Sequence, residues 1–178
     1  MTDLPLAARV ARAIRDVPDF PKPGITFKDI TPLLADAELL RDVIRAMQAP
    51  FATADITHVV AMESRGFLFG VPMALALGAA FVPVRKPGKL PWKTAREGYA
   101  LEYGSDALEI HTDALSPGSR VLLVDDVLAT GGTAAAAARL VERQGGVVVG
   151  LSVLMELAFL RGRDALQGRR AEAVWTVA

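Results

Sequence analysis

Residues 120–127 read RVLLVDDV, an apolar run that closes on two adjacent carboxylates, Asp125 and Asp126. The run has no polar alternation, so both of its faces must be buried. That is the pattern of a central strand in a parallel sheet covered by helices on both sides. Similar apolar stretches occur at Ile56–Met62, Ala79–Val84 and Val147–Met155. Helical patterns at Phe67–Leu77 and Ala134–Gln144 alternate with them. The fold class this implies is α/β, a mostly parallel twisted sheet flanked by helices. Ligands of such sheets sit at the carboxyl ends of the strands.

The flanking segments are less regular. Residues 4–17 read as an amphipathic helix with Leu6, Val10, Ile14 and Val17 on one stripe. Ile25–Ile30 reads as a short strand or an extended loop. Asp36 suits the N-cap of a helix reaching Gln48. Ala107–Thr112 reads as a strand, and Ala173–Val177 as an edge strand. The polar segment 85–104 holds Pro87, Gly88, Pro91 and Gly98. It is too long for a plain connection, so it is either a functional loop or a disordered one.

A chain of 178 residues with 52% hydrophobic and 22% charged residues is globular and fits one domain, 1–178. Twenty basic and twenty acidic residues leave no net charge, which speaks against a nonspecific nucleic-acid binder. The absence of cysteine removes thiol chemistry, disulfides and Cys-ligated zinc. Two histidines, His58 and His111, are too few for a multi-His metal site. The N-terminal MTDLPLAARVARAIRD carries Asp3 and three arginines and does not read as a secretory leader. The uncharged run 66–84 is long enough to nominate a membrane span. Pro72, Pro83 and three glycines punctuate it, and a helix, a Gly78 stop and a buried strand fit it better. A cytoplasmic protein with no membrane partner is expected.

Chemistry concentrates in VLLVDDVLATGGTAAAA, 121–137. The strand delivers Asp125 and Asp126 to the sheet edge. Ala129, Thr130, Gly131, Gly132 and Thr133 then lead into a helix N-terminus. Glycines let backbone N–H groups turn inward, and the helix end adds positive partial charge. Together they form a monophosphate cradle. Carboxylates repel that phosphate, so they suit the hydroxyls of an attached sugar, or a cation. A purely architectural strand–Gly–Gly–helix turn is one alternative. A phosphorelay receiver is another, but its acidic pair lies near the N-terminus without a following TGGT. The G-x-x-x-x-G-K-[ST] pattern of a P-loop is missing.

This segment resembles the phosphoribosyl diphosphate (PRPP) signature of type I phosphoribosyltransferases. Five flanking segments narrow the likeness: FPKPGITFKDITPLL (20–34), ESRGFLFG (63–70), VRKPGKLP (84–91), LEYGSDALEIHTDAL (101–115) and MELAFLRGR (155–163). They are similar, in order and over nearly the whole chain, to the adenine phosphoribosyltransferase family. The resemblance implies a type I phosphoribosyltransferase fold, with a small hood from about 1–34 and 155–178 and a mobile lid at about 85–104. It implies purine salvage: transfer of the phosphoribosyl group of PRPP to adenine, giving AMP and diphosphate. It also implies Mg²⁺ as cofactor, held mainly by PRPP with Asp125 and Asp126 nearby, and a homodimer.

Residue roles follow from the same likeness. Ala129–Thr133 take the 5-phosphate, and Asp125 and Asp126 the ribose hydroxyls. Ser64, Arg65 and Gly66 take the diphosphate, with a cis peptide near Glu63–Ser64. Arg65 offers a planar fork for phosphate oxygens, against which stands an ordinary surface ion pair. Arg85, Lys86 and Lys89 belong to the lid, with Arg85 reaching a neighbouring subunit's site. Glu102 acts as catalytic acid or base at N7 of the purine. Thr26, Phe27 and Lys28 read adenine through their backbone. Family members often carry arginine where Lys28 stands, which leaves a side-chain role there open. Leu157 and Leu160 pack either on the base or in the core. Related 6-oxopurine enzymes place a lysine on the oxo group; this chain has no lysine after Lys93. Another purine, or a noncatalytic PRPP-sensing regulator, are the competing readings. Glu156 meets either a group of the PRPP site or one of Arg161 and Arg163. His58, His111, Trp92 and Trp175 receive no role.

Overall fold

The computed structural model describes residues 4–101 and 104–178. Helix α1 (Leu6–Ala13) leads into strand β1 (Arg15–Val17), which pairs antiparallel with β2 (Phe27–Asp29). The helix expected to run to Val17 therefore ends four residues earlier. Ile14 is already extended and still buried, so the apolar stripe continues on a strand rather than on another helical turn. A short helix α2 (Thr31–Leu34), not anticipated from the sequence, follows. In α3 (Ala37–Gln48) the Asp36 carboxylate accepts the N–H groups of Glu38 and Leu39, the expected N-cap.

The central sheet is built from β3 (His58–Met62), β4 (Ala80–Val84), β7 (Arg120–Leu128), β8 (Val147–Leu157) and β9 (Ala171–Val177). Among the described residues its order is β4-β3-β7-β8-β9, parallel throughout. Helices α4 (Gly66–Leu77) and α5 (Gly132–Arg143) provide the crossovers after β3 and β7. Alternate residues of each strand feed two cores. Val60, Met62, Val121, Leu123, Leu151 and Val153 face α5. Val59, Ala61, Leu122, Val124 and Leu154 face α1, α3 and α4. Two cores explain the unbroken apolar runs, since neither face of the sheet is left to water.

Within 66–84, α4 stops at Gly78, whose φ of +64° is the left-handed cap that glycine favours. No helix among the described residues is long and apolar enough to cross a membrane.

The segment 85–104 departs from the expected irregular loop. Its second half is strand β5 (Thr94–Leu101), paired antiparallel with β6 (Gly104–His111). The inward residues of β5 are Ala95, Glu97 and Tyr99. Ala95 and Tyr99 pack on the core, while Glu97 between them accepts from Arg139 and Arg143 of α5. A charge in the middle of the buried stripe hides the strand from a hydrophobicity reading. Arg85 and Glu109 exchange backbone hydrogen bonds of 2.9 and 2.7 Å, which tie the hairpin to the end of β4.

Candidate active site

A cleft of about 260 Å³ opens where β7 ends and α5 begins. Residues Ala129–Thr133 line it, as expected from the sequence. Gly131 caps α5 with φ +81°, a conformation that a side chain would resist. A Cβ there would also run into the carbonyl oxygen of Gly162, so the turn is braced from outside. No side chain caps α5. The first-turn N–H groups lack intrahelical acceptors and add to the positive end of the helix dipole. The arrangement suits an anion.

Asp125 and Asp126 stand beside it. Asp125 Oδ1 accepts the Asp126 N–H at 2.9 Å. Asp126 is 2% exposed and Asp125 is partly buried, so the pair is withdrawn from the surface. The cause is α4, whose first residue presses on the strand: a Cβ on Gly66 would strike the Val124 carbonyl oxygen and crowd Asp125. Burial, reinforced by the neighbouring Asp126 charge, pushes Asp125 well above the ordinary carboxylate range. Burial also raises Asp126, against the opposing pull of Arg65. Arg65 Nε lies 2.9 Å from Asp126 Oδ2. No donor is aligned on that oxygen, so the contact is a charge pairing rather than a directed hydrogen bond. The same guanidinium sits 5.1 Å over the Phe27 ring.

The Glu63–Ser64 peptide is cis. Glu63 lines the cleft and accepts from Arg85 Nε at 2.7 Å. Also lining the cleft, the Lys86 ammonium meets Asp106 Oδ2 at 3.0 Å. Hydrogen bonding to Asp106 holds Lys86 above its ordinary value. Burial pushes Asp106 up, but the hydrogen bonds from Lys86 and the Ala107 N–H outweigh it and hold Asp106 low. The Tyr99 hydroxyl, raised by burial, lies between Asp106 and the Thr133 hydroxyl.

Residues 29–173 match the phosphoribosyl transferase domain family. The adenine phosphoribosyltransferase of Myxococcus xanthus is 58% identical over 176 residues, covering 99% of this chain and 96% of its own length. The crystal structure of adenine phosphoribosyltransferase from Rhodothermus marinus superposes with a TM-score of 0.93 at 54% identity, covering 97% of this chain and 98% of that one. The Saccharomyces cerevisiae enzyme, solved with an imino-altritol bisphosphate and adenine, gives 0.89 at 42% identity, covering 95% and 98%. The chain belongs to the adenine phosphoribosyltransferase family. The fold is the type I phosphoribosyltransferase fold, as the resemblance implied.

The structure gathers some of the expected site residues and not others. Arg65, Lys86, Asp125, Asp126 and Ala129–Thr133 share the cleft. Ser64 is exposed beside it, Gly66 is buried beneath it, and Arg85 is held at its edge by Glu63. Lys89 is exposed and outside the cleft wall. Thr26, Phe27, Lys28 and Leu157 also lie outside that wall. Phe27 joins it through Arg65, Lys28 pairs with Asp16 at 2.6 Å, and Leu157 packs on the core. Glu102, expected as the catalytic acid or base, lies outside the described residues. Glu156 is bound by Arg163 through two hydrogen bonds of 2.8 and 2.7 Å, one of the two alternatives drawn from the sequence. Sequence reasoning missed Glu63, Tyr99 and Asp106 as cleft residues. Glu63 and Asp106 stood inside family-like segments, whereas nothing in the spacing distinguished Tyr99.

Proposed function

We infer that this chain transfers the phosphoribosyl group of PRPP to adenine, giving AMP and diphosphate in purine salvage. The observation that carries the reading is the shared cleft, where an anion cradle and a two-carboxylate strand end face the same space. A ribose 5-phosphate satisfies both at once: its phosphate suits the N–H groups of the cradle, and its hydroxyls suit the carboxylates.

In this reading Ala129–Thr133 fix the 5-phosphate, while Asp125 and Asp126 accept from the ribose 2- and 3-hydroxyls. Substrate hydroxyls replace the lost water around the buried carboxylates, which favours their ionised form. Arg65, with Ser64 and Gly66, receives the departing diphosphate, helped by Lys86, Lys89 and Arg85. Thr26, Phe27 and Lys28 present backbone groups to adenine, with Leu157 against the ring. Glu102 handles the proton at N7: the carboxylate favours synthesis and the acid favours cleavage. Residues of the 85–104 segment shield C1 from water as its bond to diphosphate breaks and its bond to N9 forms.

Among the described residues, no group of three or more acidic, histidine or cysteine side chains is gathered to hold a metal. The two carboxylates of Asp125 and Asp126 instead suit a cation whose other ligands come from substrate. Mg²⁺ would be held mainly by PRPP, with these carboxylates nearby, and would offset the charge developing on diphosphate. We place the enzyme in the cytoplasm as a homodimer, organised as one domain with hood and lid. Arg85 is half-buried on its own Glu63 and must leave it to reach a partner's site.

The test is AMP formation from PRPP with adenine, hypoxanthine, guanine or xanthine, with and without Mg²⁺. Turnover with adenine alone, abolished by chelation, is expected. Turnover with another purine would move the base assignment. PRPP binding without AMP formation would make the chain a sensor.

A further inference from the structure

Asp106 is a carboxylate placed among groups suited to an anion. Its Oδ2 lies 3.0 Å from Lys86 Nζ and 3.4 Å from the Tyr99 hydroxyl. Thr133 Oγ1 donates to that hydroxyl at 3.4 Å. Asp106 Oδ1 accepts the Ala107 N–H at 2.8 Å, which fixes the orientation of the carboxylate. All four side chains line the cleft that holds the anion cradle. Lysine, tyrosine and threonine donate to phosphate oxygens; an aspartate repels them. Asp106 nevertheless takes the lysine ammonium that would otherwise be open to an anion in the cleft.

We propose that Asp106 is a built-in competitor for the anion site, holding Lys86 while the cleft is empty and yielding it when a phosphate group arrives. Only the nature of the arriving anion rests on the phosphoribosyl-transfer reading. Asp106 acts through Lys86 and is therefore a positioning residue. Its consequence is selectivity by charge. A phosphate or diphosphate carries more charge and more acceptor oxygens than one carboxylate, so it displaces Asp106 from the lysine. A singly charged anion offers no more than Asp106 does and leaves the pair closed. Lys86 is half exposed, so the competition is modest in size and weakens with salt.

Calorimetric titration with inorganic diphosphate at low salt tests this. The proteins are wild type, Asp106→Asn, Lys86→Gln and the double variant. Asparagine keeps the acceptor for the Ala107 N–H and removes the charge. Asp106→Asn is expected to bind diphosphate about three- to tenfold more tightly, and the gain is expected to vanish in the Lys86→Gln background. A purely structural role for Asp106 predicts the opposite sign, weaker binding. Weaker or unchanged binding by Asp106→Asn overturns the proposal, as does an equal gain without Lys86. If the asparagine variant does not fold, Asp106→Ser is read by the same criteria. A wild-type protein that binds no diphosphate would overturn the anion site itself. A wild type that forms AMP beside an Asp106→Asn variant of unchanged affinity would overturn only the competitor.

Discussion

Arg65 holds its Nε 2.9 Å from Oδ2 of the buried Asp126 and lays the same guanidinium 5.1 Å over the Phe27 ring. One cation thus joins the 63–66 loop, the carboxylate pair and the β1–β2 hairpin. Replacing it with methionine leaves Asp126 without its counter-charge. Arg65→Met is expected to lower stability by about 1–3 kcal/mol, less than for a fully buried pair because Arg65 is itself partly exposed. The loss should depend on pH. Burial already raises Asp126 in the folded state, and removing Arg65 raises it further. Between the unfolded and folded values the native state then binds more protons, so stability falls as pH rises. Thermal melts of wild type and variant should converge towards pH 4 and separate towards neutrality. A deficit independent of pH would mean that Arg65 acts through packing. In kinetics the variant should lose affinity for PRPP more than for adenine.

Asp125 gives a prediction in which stability and activity move in opposite directions. Burial first, and the Asp126 charge second, raise it well above the ordinary range. Asparagine preserves the acceptor for the Asp126 N–H and removes one of the two like charges. Asp125→Asn is expected to raise the melting temperature at neutral pH by about 2–4 °C, corresponding to about 1 kcal/mol. The gain should shrink on acidification, as the wild-type pair takes up a proton. Loss of a charged acceptor for ribose should lower kcat/KM for PRPP by about 10–100-fold. A variant that is both less stable and fully active would contradict both halves of the argument.

The parts of the fold that were legible in the sequence are those governed by burial on both faces. β3, β7 and β8 read directly because Val59 and Val60, or Leu122 and Leu123, send neighbouring side chains into opposite cores. β5 did not, because Glu97 sits inside its inward stripe and is satisfied by Arg139 and Arg143, 42 and 46 residues away in sequence. β1 escaped because Ile14 satisfies helical spacing and an extended exit equally well. The site divides in the same way. Asp125, Asp126 and the 129–133 turn are contiguous in sequence, and their sharing of one cleft was legible. Tyr99 and Asp106 reach Thr133 and Lys86 only through the pairing of β5 with β6, which no local pattern reports. Arg65 was expected from the sequence as a cation for phosphate; its pairing with Asp126 depends on how closely Gly66 lets α4 approach β7.

Gly131 tests whether the cradle is shaped by its backbone. At φ +81° an alanine is strained, and its Cβ would meet the Gly162 carbonyl oxygen and the Ala165 side chain. Gly131→Ala should cost about 2–4 kcal/mol, from backbone strain and from displacing the 162–165 turn. The KM for PRPP should rise at least about tenfold, because the N–H groups of the cradle shift with the turn. Gly24 provides the control: φ is +85° there, yet no atom lies within 4 Å of a Cβ. Gly24→Ala should show the strain alone, about 1 kcal/mol, without a tenfold rise in that KM. Equal effects on the KM at the two positions would remove the bracing role of Gly162.

Lys28 separates a side-chain role in base recognition from a backbone one. Its ammonium lies 2.6 Å from Asp16, its partner across the β1–β2 pair, and is committed there. Adenine presents an amine donor beside ring acceptors, which an extended backbone segment can match by its own donor and acceptor. Lys28→Met should therefore leave the KM for adenine within about threefold of wild type, while losing about 0–1 kcal/mol of stability with the exposed ion pair. Lys28→Arg should behave like wild type, since the Asp16 carboxylate accepts either cation. A tenfold rise in the KM for adenine in Lys28→Met, at unchanged KM for PRPP, would put the side chain on the base and require it to leave Asp16 when adenine binds.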